Sequence, residues 1–468
     1  MPGLFQGLEI GKRALLSHQF SLQTIGHNIA NVNTPGYSRQ RVNVTTHSPE
    51  LSTIGPLGTG IEVTDVRQIR DLFLGEQLRE DNKLLGQWQY KSKVFSQIES
   101  LFNEPFDNSL GEQLNEFWSA WADLATGDQT ARDALLSTSN ELTNSFHQLA
   151  NQLENLRTSI DKDLVNFTKE INRYTKEIAS INSQIQSQEI GNAKSNDLRD
   201  IRDRLVDELS LLVDVNTIEK QNGAYIVYMG SMALVDGPDQ MEVGIDIVKK
   251  SGAAKNTLIW SNTSQELLNT NGELKGLMDV RDEIIPEYLD DLHELASTLM
   301  NEVNNQHSQG YGLDGSTGIN FFDDSFNDAF TIKINGELFA NPSKIAASSS
   351  LDAYGQVNPG DLTNALAMHE LGDKKLMVNN SASISDFYNN LVGKLGVESR
   401  EAGSFENNYK LLVNQVEASK QAVEGVSLDE EMTNMIKAQH AYDAAARVIT
   451  TMDQALDTVI SGMGIVGR

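Results

Sequence analysis

The strongest constraint on this chain is a pair of narrow apolar stripes, one at each end. Near the start, Leu8, Gly11, Leu15, His18, Leu22, Ile25 and Ile29 are spaced alternately three and four residues apart. Near the end, Leu428, Met432, Met435, Gln439, Tyr442, Ala446 and Ile449 repeat the same spacing, and Met452, Leu456, Val459 and Met463 continue it after one slipped step. A heptad stripe this narrow buries against a single partner helix rather than a broad core. Asp429, Glu430 and Glu431 open the second helix, where the helix dipole favours acids. The spacing therefore predicts that the two ends of the chain meet and pair. The alternative is two independent members of one bundle.

Between the ends, helical periodicity dominates. From about Thr130 to Glu189, Phe146, Leu149, Leu153, Leu156, Ile160, Leu164, Phe167, Ile171, Tyr174, Ile178, Ile181 and Ile185 hold the spacing. Those ~60 residues imply a helix of about 90 Å, with Gly191-Asn192 as its stop. Further helices are expected at Leu84–Phe102, Leu198–Leu212, Ile284–Val303 and Ile384–Val423. Two windows alternate instead with period two. One runs from Tyr225, Val227 and Met229 to Leu258, Ile259 and Trp260, cut by Asn222-Gly223 and Asp236-Gly237-Pro238. The other, Phe330, Ile332 and Ile334 followed by Asn335-Gly336, reads as a hairpin. The expected fold is mainly α and multi-domain: paired terminal coiled-coil helices, a long antiparallel helical bundle and a β-rich insert. The expected order is 1–75 and 426–468 as two halves of a terminal coiled-coil domain, the first half carrying a hairpin. The bundle takes 76–215, 266–317 and 361–425, and the β-rich insert 216–265 and 318–360.

Composition narrows the chemistry. The 37 Lys and Arg face 65 Asp and Glu, a formal charge of −28, with the basic residues scattered singly or in pairs. Such a polyanion repels phosphate backbones, so no nucleic-acid partner is expected. With no cysteine there is no disulfide, thiolate nucleophile or zinc–thiolate site. No apolar run approaches the ~18 residues of a membrane span. Lys12 and Arg13 interrupt what would be the apolar region of a secretory signal. Only 9 prolines and a mean hydropathy of −0.36 suit long, surface-rich helices.

The short motifs fail their context tests. Gly310, Gly312 and Gly315 follow a helix rather than a strand, so they read as a loop and not a dinucleotide fingerprint. His293-Glu294 and His369-Glu370 are followed at the zinc-ligand position by Ser297 and Asp373. Asp323, Asp324 and Asp328 lack the glycine and distal glutamate of a calcium loop. No catalytic, cofactor or metal site is expected, and the sequence argues against an enzyme.

One segment is informative: Ala30, Asn31, Val32, Asn33, Thr34, Pro35, Gly36, Tyr37, Ser38, Arg39. Asn31 and Asn33 suit a helix end. Thr34 precedes proline and is extended. Pro35-Gly36 fits a type II turn with positive φ at Gly36. The chain should then leave as a strand. A second segment, Gly55 to Gly60, leads into Ile61-Glu62-Val63.

The box Ala30–Arg39 resembles the N-terminal signature of the rod, hook and hook-associated proteins of the bacterial flagellum. Val426-Ser427-Leu428-Asp429-Glu430-Glu431-Met432, with Gln439-His440-Ala441-Tyr442, Ala444 to Ile449 and Asp453, resembles the C-terminal module of the same family. Helices filling 84–215 and 270–307, with the segments Phe117–Ala125 and Arg132–Leu136, resemble the branch at the hook–filament junction rather than hook or distal rod components. The resemblance implies a structural protein, exported unfolded without a cleaved signal and polymerised outside the cell at the distal end of the hook. It implies self-association in an axial lattice. It also implies contacts with hook protein and a second junction protein, and an export chaperone on the C-terminal helix. The residues expected to carry assembly are Ala30, Asn31, Asn33, Thr34, Pro35, Gly36, Tyr37 and Arg39, with an N-terminal seam of Leu8, Leu15, Leu22, Ile25 and Ile29. The expected C-terminal seam is Leu428, Met432, Met435, Tyr442, Ala446, Ile449 and Leu456. A hydrolase carried on axial termini is the alternative from another class. It would need a paired acid–base site or a metal cluster.

Overall fold

The structure, a computed structural model, describes residues 2–463 except 53–54, 105–108, 125–128, 190–192, 251–252, 268–270, 353 and 359. The expected helix stop at Gly191-Asn192 and the last residue of the aromatic segment, Ala125, lie outside those described. The chain is mainly helical, with small antiparallel sheets, and divides into two compact units.

The first unit comprises Met1–Leu85, Thr168–Gly272 and Tyr409–Arg468. Helix α1 (Pro2–Ala30) packs along α11 (Leu428–Met463). After α1 the chain turns and forms β1 (Gln40–Thr46), which pairs antiparallel with β4 (Ile61–Gln68). Between them a short hairpin, β2 (Glu50–Ser52) with β3 (Gly55–Leu57), projects. Helix α5 (Asn196–Leu212) leads into a four-stranded sheet of β5 (Val215–Glu219), β6 (Tyr225–Met229), β7 (Met232–Asp236) and β8 (Asp239–Gln240). A separate pair follows, β9 (Val243–Lys250) with β10 (Ala253–Trp260).

Alternation decides which face of this sheet is covered: Tyr225, Val227 and Met229 are buried, along with Leu234 and Val235. Residues 168–188 of α4 (Gln129–Gln188) lie against it with Ile171, Ile178 and Ile185 inward. The buried Asn182 of that helix holds a turn of the sheet. Its amide donates to Tyr225 O (3.1 Å) and Gly237 O (2.9 Å) and accepts from Tyr225 N (3.0 Å). Asn172 does the same for Val243.

The second unit comprises Gly86–Phe167 and Glu273–Asn408. Its core is a helical bundle. Helix α3 (Leu110–Leu124) buries Phe117, Trp118, Trp121 and Leu124, and residues 129–167 of α4 bury Leu135, Leu142, Phe146 and Leu153. Helices α6 (Glu273–Asp279) and α7 (Ile285–Gln309) are joined by one π turn, Val280–Ile284. Pro286 lies just past that turn; it has no N–H and crowds the preceding carbonyls, a common cause of such bulges. Two short helices, α8 (Gly336–Ala340) and α9 (Thr363–Leu371), sit in the segment before α10 (Ile384–Glu424), with the two-residue strand β11 (Tyr311–Gly312) pairing with β12 (Ala346–Ser348).

One local expectation changes. Asn335-Gly336 is not a hairpin turn. Asn335 has φ −60°, where a two-residue type I′ turn needs positive φ, and its side chain instead accepts from Glu337 N to cap α8. Ile334 makes only an isolated bridge to Phe322. In the loop read from the glycines, Gly315 has φ +86°, so a β-branched residue would be strained there much as at Gly36. The segment 311–348 is pinned from α7. Asn304 bonds both backbone groups of Phe322, while buried His307 donates from Nδ1 to Ile319 O (2.7 Å) and accepts Ala346 N–H at Nε2 (3.0 Å).

Candidate functional site

Helices α1 and α11 approach closely because the contact is built on small residues. A Cβ at Gly7 would lie 2.9 Å from Met452 Cε, and one at Gly11 would lie 2.8 Å from Ile449 Cγ1. On α11 the buried line is Glu431, Ala438 and Ala445, seven residues apart. Met435, Tyr442, Ala446, Ile449 and Leu456 are half-buried beside it, whereas Leu428 and Met432 are 47% and 51% exposed. The buried line thus runs one residue before the expected positions Met432 and Ala446. On α1, Leu8, Leu15, Leu22, Ile25 and Ile29 are half-buried, and the fully buried positions are Gly11, Ser17 and Asn28. Both helices also carry apolar residues outward: Phe5, Leu16 and Phe20 on α1, and Leu428, Met432 and Ile436 on α11.

The turn after α1 follows from its side chains. Asn31 donates back to His27 O (3.0 Å) and accepts from Thr34 Oγ1 (3.1 Å), closing the helix end. Tyr37 N donates to Thr34 O (3.2 Å) across a turn whose Gly36 has φ +77°. Gly36 also lies over the methylenes of Arg204, 3.4 Å from where its Cβ would be. Ala30, Asn33, Thr34 and Pro35 remain exposed. The expected strand starts at Gln40 rather than Tyr37, because Tyr37, Ser38 and Arg39 are spent on side-chain and cross-element bonds.

Those bonds converge on Asn28, which is 1% exposed. Its Oδ1 accepts from Tyr37 OH (2.8 Å) and Gln40 N (2.9 Å). Its Nδ2 donates to Gln40 O (2.9 Å) and to Glu431 Oε2 (3.0 Å). Arg39 completes the knot. Its Nε donates to Glu431 Oε1 (2.8 Å), its terminal nitrogens to Glu430 (3.0 and 3.1 Å), and its backbone N to Glu424 O (2.8 Å). Burial works against the guanidinium charge, but Glu430 and Glu431 outweigh it and hold the Arg39 pKa above its ordinary value. Burial, with the nearby charges of Asp197, Asp200 and Glu431, pushes the Tyr37 phenol well above its ordinary range.

A ladder of carboxylates on α5 receives the other side of the turn. Asp197 binds Gln40 Nε2 (2.7 Å) and His27 (3.2 Å). Asp200 accepts from Ser38 N (3.0 Å) and Gln68 Nε2 (2.7 Å). Asp203 pairs with Arg70, and Asp207 with Arg79 (2.7 Å) and Lys420 (3.1 Å). Burial raises the Asp200 carboxyl to about 6. These groups hold elements together; among the described residues no cluster of histidines and carboxylates has the arrangement of a metal site.

Tyr37, Arg39, Glu431 and the α1 and α11 seams are thus brought together, while Asn33, Thr34 and Pro35 face outward. Sequence reasoning missed Gly7, Asn28, Asp200 and the role of Glu431. The Gly7-x3-Gly11 spacing was a readable sign of close helix approach. A polar Asn28 beside Ile29 in an apolar stripe was a second sign.

Known proteins match this arrangement along its length. Residues 95–322 match the family described as the helical domain of the flagellar hook-associated protein FlgK, and residues 422–462 match the C-terminal part of the flagellar basal body rod FlgEFG protein. Flagellar hook-associated protein 1 of Bacillus subtilis strain 168 is 31% identical over 507 aligned residues, spanning 100% of both chains. The chain belongs to the flagellar hook-associated protein 1 family. Relatives of that name from Escherichia coli K12 and Salmonella typhimurium are each 24% identical, covering 95% of this chain and 97% of theirs. The structure of the flagellar hook junction protein FlgK from Burkholderia pseudomallei superposes with a TM-score of 0.64 at 17% identity. It covers 74% of this chain and 100% of that one, a likeness of fold. The resemblance read from the terminal motifs is borne out, and the helical middle that favoured the junction branch is the region matched by the helical-domain family.

Proposed function

We propose that this chain is the structural subunit of the hook–filament junction, polymerising at the distal end of the hook. Full-length membership in the hook-associated protein 1 family carries this reading. The two outward apolar faces support it. Phe5, Leu16 and Phe20 on α1 and Leu428, Met432 and Ile436 on α11 are 43–62% exposed in the single chain. Exposed large side chains at helical spacing are what neighbouring copies in a lattice would cover. On this reading Ala30–Arg39 and the two seams shape the terminal pair that enters the lattice. Segments 1–75 and 426–468 form one axial domain, and the bundle and β-rich segments lie outside it. The partners are hook protein, a second junction protein and an export chaperone on the C-terminal helix. The chain acts at the flagellum, outside the cell, without catalysis. No helix among the described residues is long and apolar enough to cross a membrane.

The test is deletion of the gene, electron microscopy of the cells and assay of flagellin in the medium. Hooks without filaments, with flagellin released, are expected. Restoration by the wild-type gene but not by a Leu16→Asp, Phe20→Asp variant would assign the effect to the outward face. Normal filaments on the deletion strain would overturn the proposal.

A further inference from the structure

A groove of about 540 Å³ opens where α1, β1 and α11 meet. Ile25, Ile69 and Ala441, all half-buried, give it apolar surface. Its fixed charges are Arg39, Arg41 and Lys437 against Glu430 and Glu431, an excess of positive charge in a chain of formal charge −28. Glu430 and Glu431 are both spent on Arg39. Arg41 stands two residues past Arg39 on extended backbone and so shares the face that Arg39 turns to α11. Arg41 and Lys437 are exposed, and among the described residues neither has a carboxylate partner. The far end of α11 carries the complement. Asp453, Asp457 and Ile460 stand at i, i+4 and i+7 and so share one face. Both acids are exposed and, among the described residues, lack a cation partner, and Ile460 is 65% exposed. Groove and face cannot meet within one chain, because Lys437 and Asp457 are twenty residues apart on one helix, about 30 Å. They also lie on opposite flanks of the seam. Lys437 comes one residue before the buried Ala438, and Asp453 one residue after Met452, which meets Gly7; each step is about 100° round the helix, in opposite senses. Two complementary surfaces at different places on one molecule make a heterologous contact. Repeated head to tail, it closes into a ring or winds into a helix instead of stopping at a dimer.

We propose that the Asp453–Asp457–Ile460 face of one copy docks in the α1–β1–α11 groove of the next, its two acids on Arg41 and Lys437 and Ile460 on the apolar surface. The contact rests on the reading that the chain self-associates, and adds its geometry: heterologous, with successive copies displaced along the α11 axis. Opposite charge on the two surfaces selects this pairing over groove against groove or face against face, where like charges would meet.

The chain has no cysteine, so a variant with Lys437→Cys and Asp457→Cys carries its only two thiols. In isolated, oxidised hooks this variant should give a ladder of disulfide-linked multimers on non-reducing gels, because each copy reaches forward with one thiol and back with the other. Neither single variant should give a ladder. In parallel, Asp453→Lys with Asp457→Lys should cut incorporation at the hook tip roughly ten-fold, and so should Arg41→Glu with Lys437→Glu. All four changes in one chain should restore incorporation. The soluble subunit's melting should be unchanged throughout, because all four side chains are exposed in it. Assembled copies without the ladder, a link from position 437 to a protein other than this chain, or a four-fold variant as defective as the two-fold ones would overturn the interlock while leaving the junction reading in place. Absence of the wild-type chain from hook tips would overturn the junction reading and the interlock with it.

Discussion

Replacing Asn28 by aspartate changes one NH2 for one oxygen and tests the knot at the chain's two ends. Asn28 Nδ2 sits 2.9 Å from Gln40 O and 3.0 Å from Glu431 Oε2. In Asn28→Asp both acceptors would face a carboxylate oxygen, with Asn28 and Glu431 1% and 2% exposed. Two unit charges at that separation repel by about 5–6 kcal/mol at an effective dielectric of ~20. The protein has a cheaper escape, which is to bind a proton between the two carboxylates. Protonating a carboxyl of ordinary pKa near 4 at pH 7 costs about 4 kcal/mol, and the one donor lost toward Gln40 O adds about 1 kcal/mol. The expected destabilisation of the α1–α11 pairing is therefore about 4–5 kcal/mol at pH 7, capped by protonation rather than by Coulomb repulsion.

The cap fixes the pH dependence. The shared proton raises the folded-state pKa of the pair above its unfolded value. The penalty is then fully present above the folded pKa and is relieved as pH falls through it. Near pH 4.5 only about 2 kcal/mol should remain. Hydrogen exchange of the α1 and α11 amides, compared with wild type at each pH, reads this locally where a whole-chain melting curve would mix the two units. Adding Glu431→Gln should recover part of the loss at pH 7, because a donor then faces the new carboxylate. Exchange like wild type at pH 7, or a defect unchanged at acid pH, would refute the idea that Asn28 joins the two ends by donating to Glu431.

Three further outcomes are expected. Gly11→Val should part the terminal helices, since even its Cβ would meet Ile449 Cγ1 at 2.8 Å, and Ile449→Ala should partly restore pairing; exchange in α1 checks both. Ala445→Glu should loosen the α11 seam more than Ala446→Glu, since Ala445 is 7% exposed and its neighbour half-buried; equal effects on limited proteolysis of α11 would return the seam to the register read from hydrophobicity. The second unit should weaken in acid: burial, outweighing the bond to Ile319 O, holds His307 down to about 4. Its contribution is then complete above the ordinary histidine value of 6.5 and lost as pH falls from there toward 4. Fluorescence of Trp121, whose ring lies 6.1 Å from that of His307, should follow the loss, and His307→Gln should remove its pH dependence.

Much of this was legible in the residues, and the part that was not has a physical cause. Heptad spacing at each terminus identified a two-helix pairing because such a period serves little else. The period could not give the register. A search for large apolar residues favours Leu428 and Met432, but Gly7 and Gly11 make room for Met452 and Ile449, and the apolar positions buried on α11 are the small Ala438 and Ala445. The turn at Pro35-Gly36 was readable because its chemistry is local. Asn335-Gly336 has equally local chemistry, yet a helix cap took the Asn side chain that a hairpin would have left free. The knot at Asn28 was the least visible, because its partner Glu431 lies 403 residues away and neither residue is unusual alone.

That distance suggests why a polar knot sits in an otherwise small-residue seam. Positions 431, 438 and 445 repeat every seven residues, and the alanines at 438 and 445 do not by themselves distinguish one heptad register of α1 along α11 from the next. Asn28 removes the degeneracy. After a slide of one heptad it would face Ala438, its donor would lose Glu431, and Gln40 and Arg39 would be left with buried groups unpaired, at about 1–3 kcal/mol for each. A buried asparagine is a known device for fixing helix register at some cost in stability. Here the register also sets where the Gly36 turn rests on Arg204. The seam supplies the contact between the two ends, and the Asn28–Arg39–Glu431 knot supplies its position.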